Sequence, residues 1–364
     1  MPRVVYLHIG APKTGTTYIQ DRLELNGPVL RRHGIHFPVG PLGLRASHTH
    51  FRAALDLLGA DWGGPSGHAE GQWEALMKRV RRLDGTVILS HEILAGATPG
   101  QISRAMADLA GSEVHVVYSA RDLARQIPAA WQESIKQGRR WSYKSYLRKL
   151  QARPDLSFWK AQGLPDVLSR WSAGLTPERV HLVTVPSAGS PPELLWERVR
   201  GVFGIEPEWV SQDSVRVNPS MGVAETALVR RLNKRLRRSD LTKEDHRLLV
   251  KEMLVQRNLA NRVNTRRASL PPRLYPWAQG VVDEWIEWVE GAGIDVVGDL
   301  RELRPVQPDP DERWVNPDRP GSKPMADAAL AALTAMTMEA ARRTPTDQQL
   351  SRRVGRAARR LRGP

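Results

Sequence analysis

Short apolar runs alternate with stretches of helical periodicity through the first half of the chain. The runs at 4–9, 35–37, 86–89, 114–118 and 180–185 predict strands, and the stretches at 73–83 and 101–109 predict helices between them. Apolar character at 87–89 and 114–117 is nearly continuous rather than alternating, as expected of strands buried on both sides. Strands and helices taking turns in this way predict an α/β fold, with a mostly parallel central sheet and helices on both faces.

The strand signal fades after Val185, and the C-terminal part reads as helical. Helices are predicted at 192–202, 223–237, 243–257 and 274–290, the last with Trp277, Val281, Trp285 and Trp288 at a spacing that turns them toward a core. Residues 305–324 are rich in Pro, Asp and Gly and read as a linker, followed by a helix at 326–343 and a basic run at 352–362. The expected organisation is therefore one domain over 1–304, a linker over 305–324 and a helical, basic tail over 325–364. No internal repeat is visible.

Composition narrows the chemistry. A hydrophobic content of 41% and twelve Trp residues fit a globular chain, and 364 residues can bury a large core. The chain has no cysteine, which excludes disulfides, thiolate nucleophiles and cysteine-ligated metal sites, and no metal is expected. There is neither a signal-peptide pattern at the start nor an apolar run of membrane-spanning length, so a cytoplasmic protein is expected. A net charge of +15 suggests an anionic partner, although the excess is spread along the chain and is densest at 230–238 and in the tail. A basic tail of this kind is able to lie on an anionic surface; no nucleic-acid partner is expected.

The segment His8-Ile9-Gly10-Ala11-Pro12-Lys13-Thr14-Gly15-Thr16-Thr17 follows the first predicted strand and opens a predicted helix at 16–25. Loop amides and a helix N-terminus together make an anion site, to which Lys13 adds a full charge and Thr14, Thr16 and Thr17 add hydroxyls. The nucleoside-triphosphate pattern G-x-x-x-x-G-K-[ST] puts Lys after its second glycine, whereas Lys13 stands two residues before Gly15.

Pro12-Lys13-Thr14-Gly15-Thr16-Thr17 resembles the 5′-phosphosulfate loop of the sulfotransferases that use 3′-phosphoadenosine 5′-phosphosulfate (PAPS). The strand ending in Tyr118-Ser119-Ala120-Arg121-Asp122 is similar to the one that carries the 3′-phosphate arginine in that family. The resemblance implies a P-loop fold, PAPS as co-substrate and a small-molecule or glycan acceptor. It also implies donor contacts from the loop and from Arg121.

The family usually places a serine eight residues after that arginine, where this chain has Ala129. Gln126 is the favoured replacement, with Arg125 on the same predicted helical face and Ser134 further along. The late donor loop of the family has its nearest counterpart in Arg216-Val217-Asn218-Pro219-Ser220-Met221-Gly222, which makes Ser220 a donor-site candidate.

Sulfuryl transfer needs a base, and ligands in open α/β sheets bind beyond the C-terminal strand ends. His91 and Glu92 follow the strand 86–89, and each resembles a catalytic base of one branch of the family. Glu92 is favoured, with His91 close behind. His48 and His50, at the start of another predicted helix, are candidates for acceptor contact. Two other activities stay open at this point: a P-loop small-molecule kinase, and a nucleotide-binding protein of the same fold without turnover.

Overall fold

The computed structural model of the chain describes residues 3–40, 45–214, 219–309, 311 and 313–342. Six strands form one sheet: β1 (Val4–Gly10), β2 (Ile35–His36), β3 (Thr86–Ser90), β4 (Glu113–Ala120), β5 (Val180–Thr184) and β6 (Asp295–Val297). They lie in the order β2-β3-β1-β4-β5-β6 and every pairing is parallel. The expected α/β fold with a parallel sheet is therefore present.

Parallel strands need crossover segments that cover the sheet. Strand alternation divides the apolar side chains between two cores: Val5, Leu7, Ile9, Val87, Leu89, Val116 and Leu182 enter one, and Ile88, Val117 and Val183 enter the other. The helices Thr16–Leu25 and Leu194–Val202 close the second core with Ile19, Leu23, Leu195, Trp196 and Val199. Full burial of each such aliphatic side chain contributes about 1.5–3 kcal/mol.

The helix Tyr275–Ala292 faces the larger core with Trp285, and Trp277 and Trp285 both meet the Trp159 ring edge-on. Three differences from the sequence expectations concern regular structure. β6 was not foreseen, because three residues beginning with the exposed Asp295 at a sheet edge carry no apolar run. The helical pattern at 143–171 also went unread, although it forms the three helices Tyr143–Ala152, Ser157–Gln162 and Leu164–Trp171. The stretch expected as one helix at 243–257 is a short α-turn, Lys243–Asp245, followed by an eleven-residue π-helix, His246–Gln256.

Beyond residue 304 the chain stays on the domain. The Asp318 carboxylate accepts from the Tyr143 and Lys144 amides at 2.8 and 2.9 Å and pairs with Arg230 at 3.4 Å. The helix Ser322–Arg342 packs on Val223–Leu236, with Ala328 fully buried. The basic run at 352–362 lies outside the described residues.

Candidate functional site

β1 sits between β3 and β4, so the segments leaving all three strands meet at one edge of the sheet. From β1 comes the loop Ala11–Gly15, from β3 come His91 and Glu92, and from β4 comes Arg121. This is the place in the strand order where crossovers diverge, and it leaves a crevice.

The loop is held by its own backbone. The Ala11 amide donates to Ser119 O at 2.8 Å, and the Thr14 hydroxyl donates to Ala11 O at 2.6 Å. Gly15 has φ +94 and caps the helix Thr16–Leu25, whose Tyr18 and Ile19 amides return to Gly15 O. A Cβ at Gly15 would meet Leu195 Cδ2 at 2.5 Å, and one at Gly10 would lie 3.0 Å from the Glu92 backbone. Both positions favour glycine by conformation, with φ +112 at Gly10 and +94 at Gly15, and Gly10 also lies tight against the Glu92 backbone. Lys13 itself has φ +70, an uncommon conformation for a side-chain-bearing residue and one often found at functional loops.

Lys13 Nζ donates to Glu133 Oε2 at 2.6 Å, and the Lys13 amide lies 3.4 Å from Glu92 Oε2. Burial would lower the Lys13 pKa, but Glu133 and Glu92 outweigh it and hold the ammonium charged. Burial raises the Glu92 pKa by more than Lys13 lowers it, and Glu133 raises it further. The Thr16 hydroxyl lies beside Glu92 without a hydrogen bond of normal geometry. For Glu133, burial acts upward but is outweighed by Lys13 and Lys136, which bring it down to about 2. One cation thus lies beside a carboxylate held charged at neutral pH, Glu133, and one whose basicity is increased, Glu92.

His91 is oriented differently. As N-cap of the short 3₁₀ turn Glu92–Gly96, its Nδ1 accepts from the Ile93 amide at 3.2 Å. A backbone N–H can only donate, so the neutral ring carries its proton on Nε2 and presents a donor there. Burial, then His50 and His8, lower its pKa to about 3.

His50 has both ring nitrogens engaged, Nε2 with Pro38 O at 2.9 Å and Nδ1 with the Ser90 amide at 3.2 Å. Its pKa falls to about 4 through burial. His48 is exposed on the same helix, Ala46–Leu58. His8 is buried between Ser90 Oγ and Ser119 Oγ, at 2.8 and 3.2 Å.

On the other side of the loop, a pocket of about 310 Å³ is lined by Arg121, Ala129, Ser220 and Arg267, among others. Arg121 donates to Lys13 O at 3.3 Å, its Nε has no hydrogen-bond partner among the described residues, and burial with Arg125 and Arg267 nearby brings its pKa to about 10. Clustered arginines with an orphaned donor suit a multiply charged oxyanion.

Gln126 does not line this pocket. Its amide donates to Pro12 O, as Gln162 does at 2.9 Å, so the two side chains brace the loop, and Gln126 Oε1 has no partner among the described residues. Arg125 is engaged by Asp122 and by Pro186 O. Ser134 donates to Trp131 O at 2.7 Å and accepts from Trp141 Nε1 at 2.9 Å. Ala129, Ser220 and Arg267 line the same pocket. Of the segment around Ser220, residues 216–218 lie outside the described residues.

Sequence reasoning missed Glu133 and Arg267. Glu133 lies seven residues after Gln126 on the helix Leu123–Lys136, so helical periodicity alone places it on the face turned to the loop. Arg267 lies in irregular chain and carried no such signal. Comparison with known proteins adds nothing to this geometry: no family model matches the chain, and neither a curated protein nor a solved structure resembles it significantly.

Proposed function

We propose that the chain is a sulfotransferase that moves a sulfuryl group from PAPS to a hydroxyl or amine acceptor. The observation that carries this reading is the placing of Lys13 between a carboxylate of raised basicity, Glu92, and an arginine pocket at Arg121 and Arg267. A bisphosphorylated nucleotide needs two anion sites at opposite ends, and the loop and the pocket supply them. The donor brings the activated sulfuryl group; the protein supplies binding, charge and a base.

In this mechanism the loop amides, with the Thr16 and Thr17 hydroxyls, hold the 5′ end, while Thr14 keeps the loop in shape through Ala11 O and Arg121, Arg267 and Ser220 hold the 3′-phosphate. Glu92 takes the proton from the acceptor as its oxygen or nitrogen bonds to sulfur. Lys13 neutralises the charge that builds on the phosphate oxygen as the bond from sulfur to that oxygen breaks. Glu133 keeps Lys13 protonated and pointed. His91 presents Nε2–H and serves as a hydrogen-bond donor to the acceptor, which leaves proton abstraction to Glu92.

Transfer of ³⁵S from labelled PAPS to a panel of alcohols, amines and glycans tests the reading. Label should move with the wild-type protein and fall by at least a hundredfold with Lys13→Ala, the folded state being checked by circular dichroism. Equal transfer by both proteins would show that Lys13 has no part in it.

A further inference from the structure

Beside the Lys13–Glu133 pair lies a groove of about 550 Å³ whose walls, among the described residues, carry seven Lys and Arg side chains and no carboxylate. Arg140, Arg237 and Lys243 in its walls have no carboxylate partner among the described residues. Unpaired cations facing one cavity repel one another, and an anionic ligand relieves that repulsion.

Two connections join the groove to the site. Lys136 lines it and pairs with Glu133 at 3.6 Å, and Lys251 also acts electrostatically on Glu133. On the other flank the His91 ring packs at 5.0 Å from Phe51, which meets Trp62 edge-on at 6.1 Å, and Trp62 lines the groove. Trp62 is half exposed, at 49%, and held at φ +44. An exposed indole in a strained backbone offers a flat face to a ligand ring. One wall is the π-helix His246–Gln256, which contributes His246, Arg247 and Lys251; π-helical turns are found frequently at functional sites.

We infer that this groove binds the acceptor, and that the acceptor is an anionic saccharide, with Trp62 stacked on a sugar ring and Arg140, Lys243 and Lys251 facing its carboxylate or sulfate groups. The inference rests on the sulfotransferase reading only for the word acceptor; the binding of an anionic sugar stands apart from it. A cavity of this size takes a few sugar rings, and a sugar supplies both the hydroxyls for transfer and the charge the groove demands.

Calorimetric titration tests it with tetragalacturonate, its methyl ester, a sulfated κ-carrageenan tetrasaccharide and a short oligothymidylate. One or both anionic tetrasaccharides should bind at least tenfold more tightly than the neutral ester and the oligonucleotide, with affinity falling as salt rises. The double change Arg140→Ala and Lys243→Ala should weaken that binding tenfold or more, and Trp62→Ala should weaken it severalfold, with PAP affinity unchanged in both. Binding of neither anionic sugar, equal binding of the ester, preference for the oligonucleotide, or insensitivity to the double change would each overturn the inference. PAP titrated into the same samples keeps the two claims apart: failure of PAP to bind removes the donor reading and leaves the sugar result standing.

Discussion

Glu133→Gln removes the charge that holds Lys13 and leaves the shape nearly unchanged. A carboxyl held at about 2, against its ordinary 4.5, corresponds to about 3 kcal/mol between the charged and neutral forms. The side chains of Lys13 and Glu133 are 33% and 24% exposed, and screening at that exposure reduces the figure to about 1–2 kcal/mol of folding stability. Because the folded value is depressed, the contribution is fully present above pH 4.5 and is lost as pH falls toward 2. Urea unfolding at pH 7 should show the variant less stable by about 1–2 kcal/mol, and at pH 3.5 the gap should shrink by roughly half. His8 and His50, held near 4 by burial, destabilise both proteins below pH 6.5 and cancel in the difference. No gap at pH 7, or the same gap at both pH values, would refute the charge pairing.

The same geometry sets the other expectations. Glu92→Gln should cost on the order of 10²–10⁴ in turnover, whereas His91→Asn, which removes a donor rather than the base, should cost less; a larger loss for His91→Asn would reverse their roles. The acid limb of the wild-type pH–rate profile should lie above the ordinary carboxyl range, since burial raises Glu92, and a limb at or below 4.5 would contradict that. Gly15→Ala places a side-chain-bearing residue at φ +94, with only the end of Leu195 to move aside, so it should destabilise the fold by about 1–2 kcal/mol in urea melts, and a loss under about 0.3 would show that the loop has another shape.

How far the sequence could be read depended on how local the signal was. β1, β3, β4 and β5 are buried apolar runs, and the loop beside Lys13 is contiguous, so both were visible. Glu133 was within reach through helical periodicity from Gln126. Arg267 meets Arg121 only through tertiary folding, and the roles of Gln126 and Ser134 depended on which carbonyls lay within reach, which no spacing reveals. The π-helix has the same composition as an α-helix and differs only in backbone pairing, so its pattern read as one continuous helix. The sequence shows basic charge densest at 230–238 but not what it faces; folding puts Arg237 into the groove with cations from 136–140 and 243–251.

The central claim is that the loop and the arginine pocket together hold a nucleotide with phosphates at both its 5′ and 3′ ends. Calorimetric titration of the wild-type protein with PAP, adenosine 5′-phosphate and ATP–Mg²⁺ measures this directly. The account predicts that PAP binds at least tenfold more tightly than either of the others, and that Arg121→Ala abolishes the preference over adenosine 5′-phosphate. Equal affinity for PAP and adenosine 5′-phosphate would remove the 3′-phosphate site, and preference for ATP–Mg²⁺ would make the chain a kinase-like protein instead.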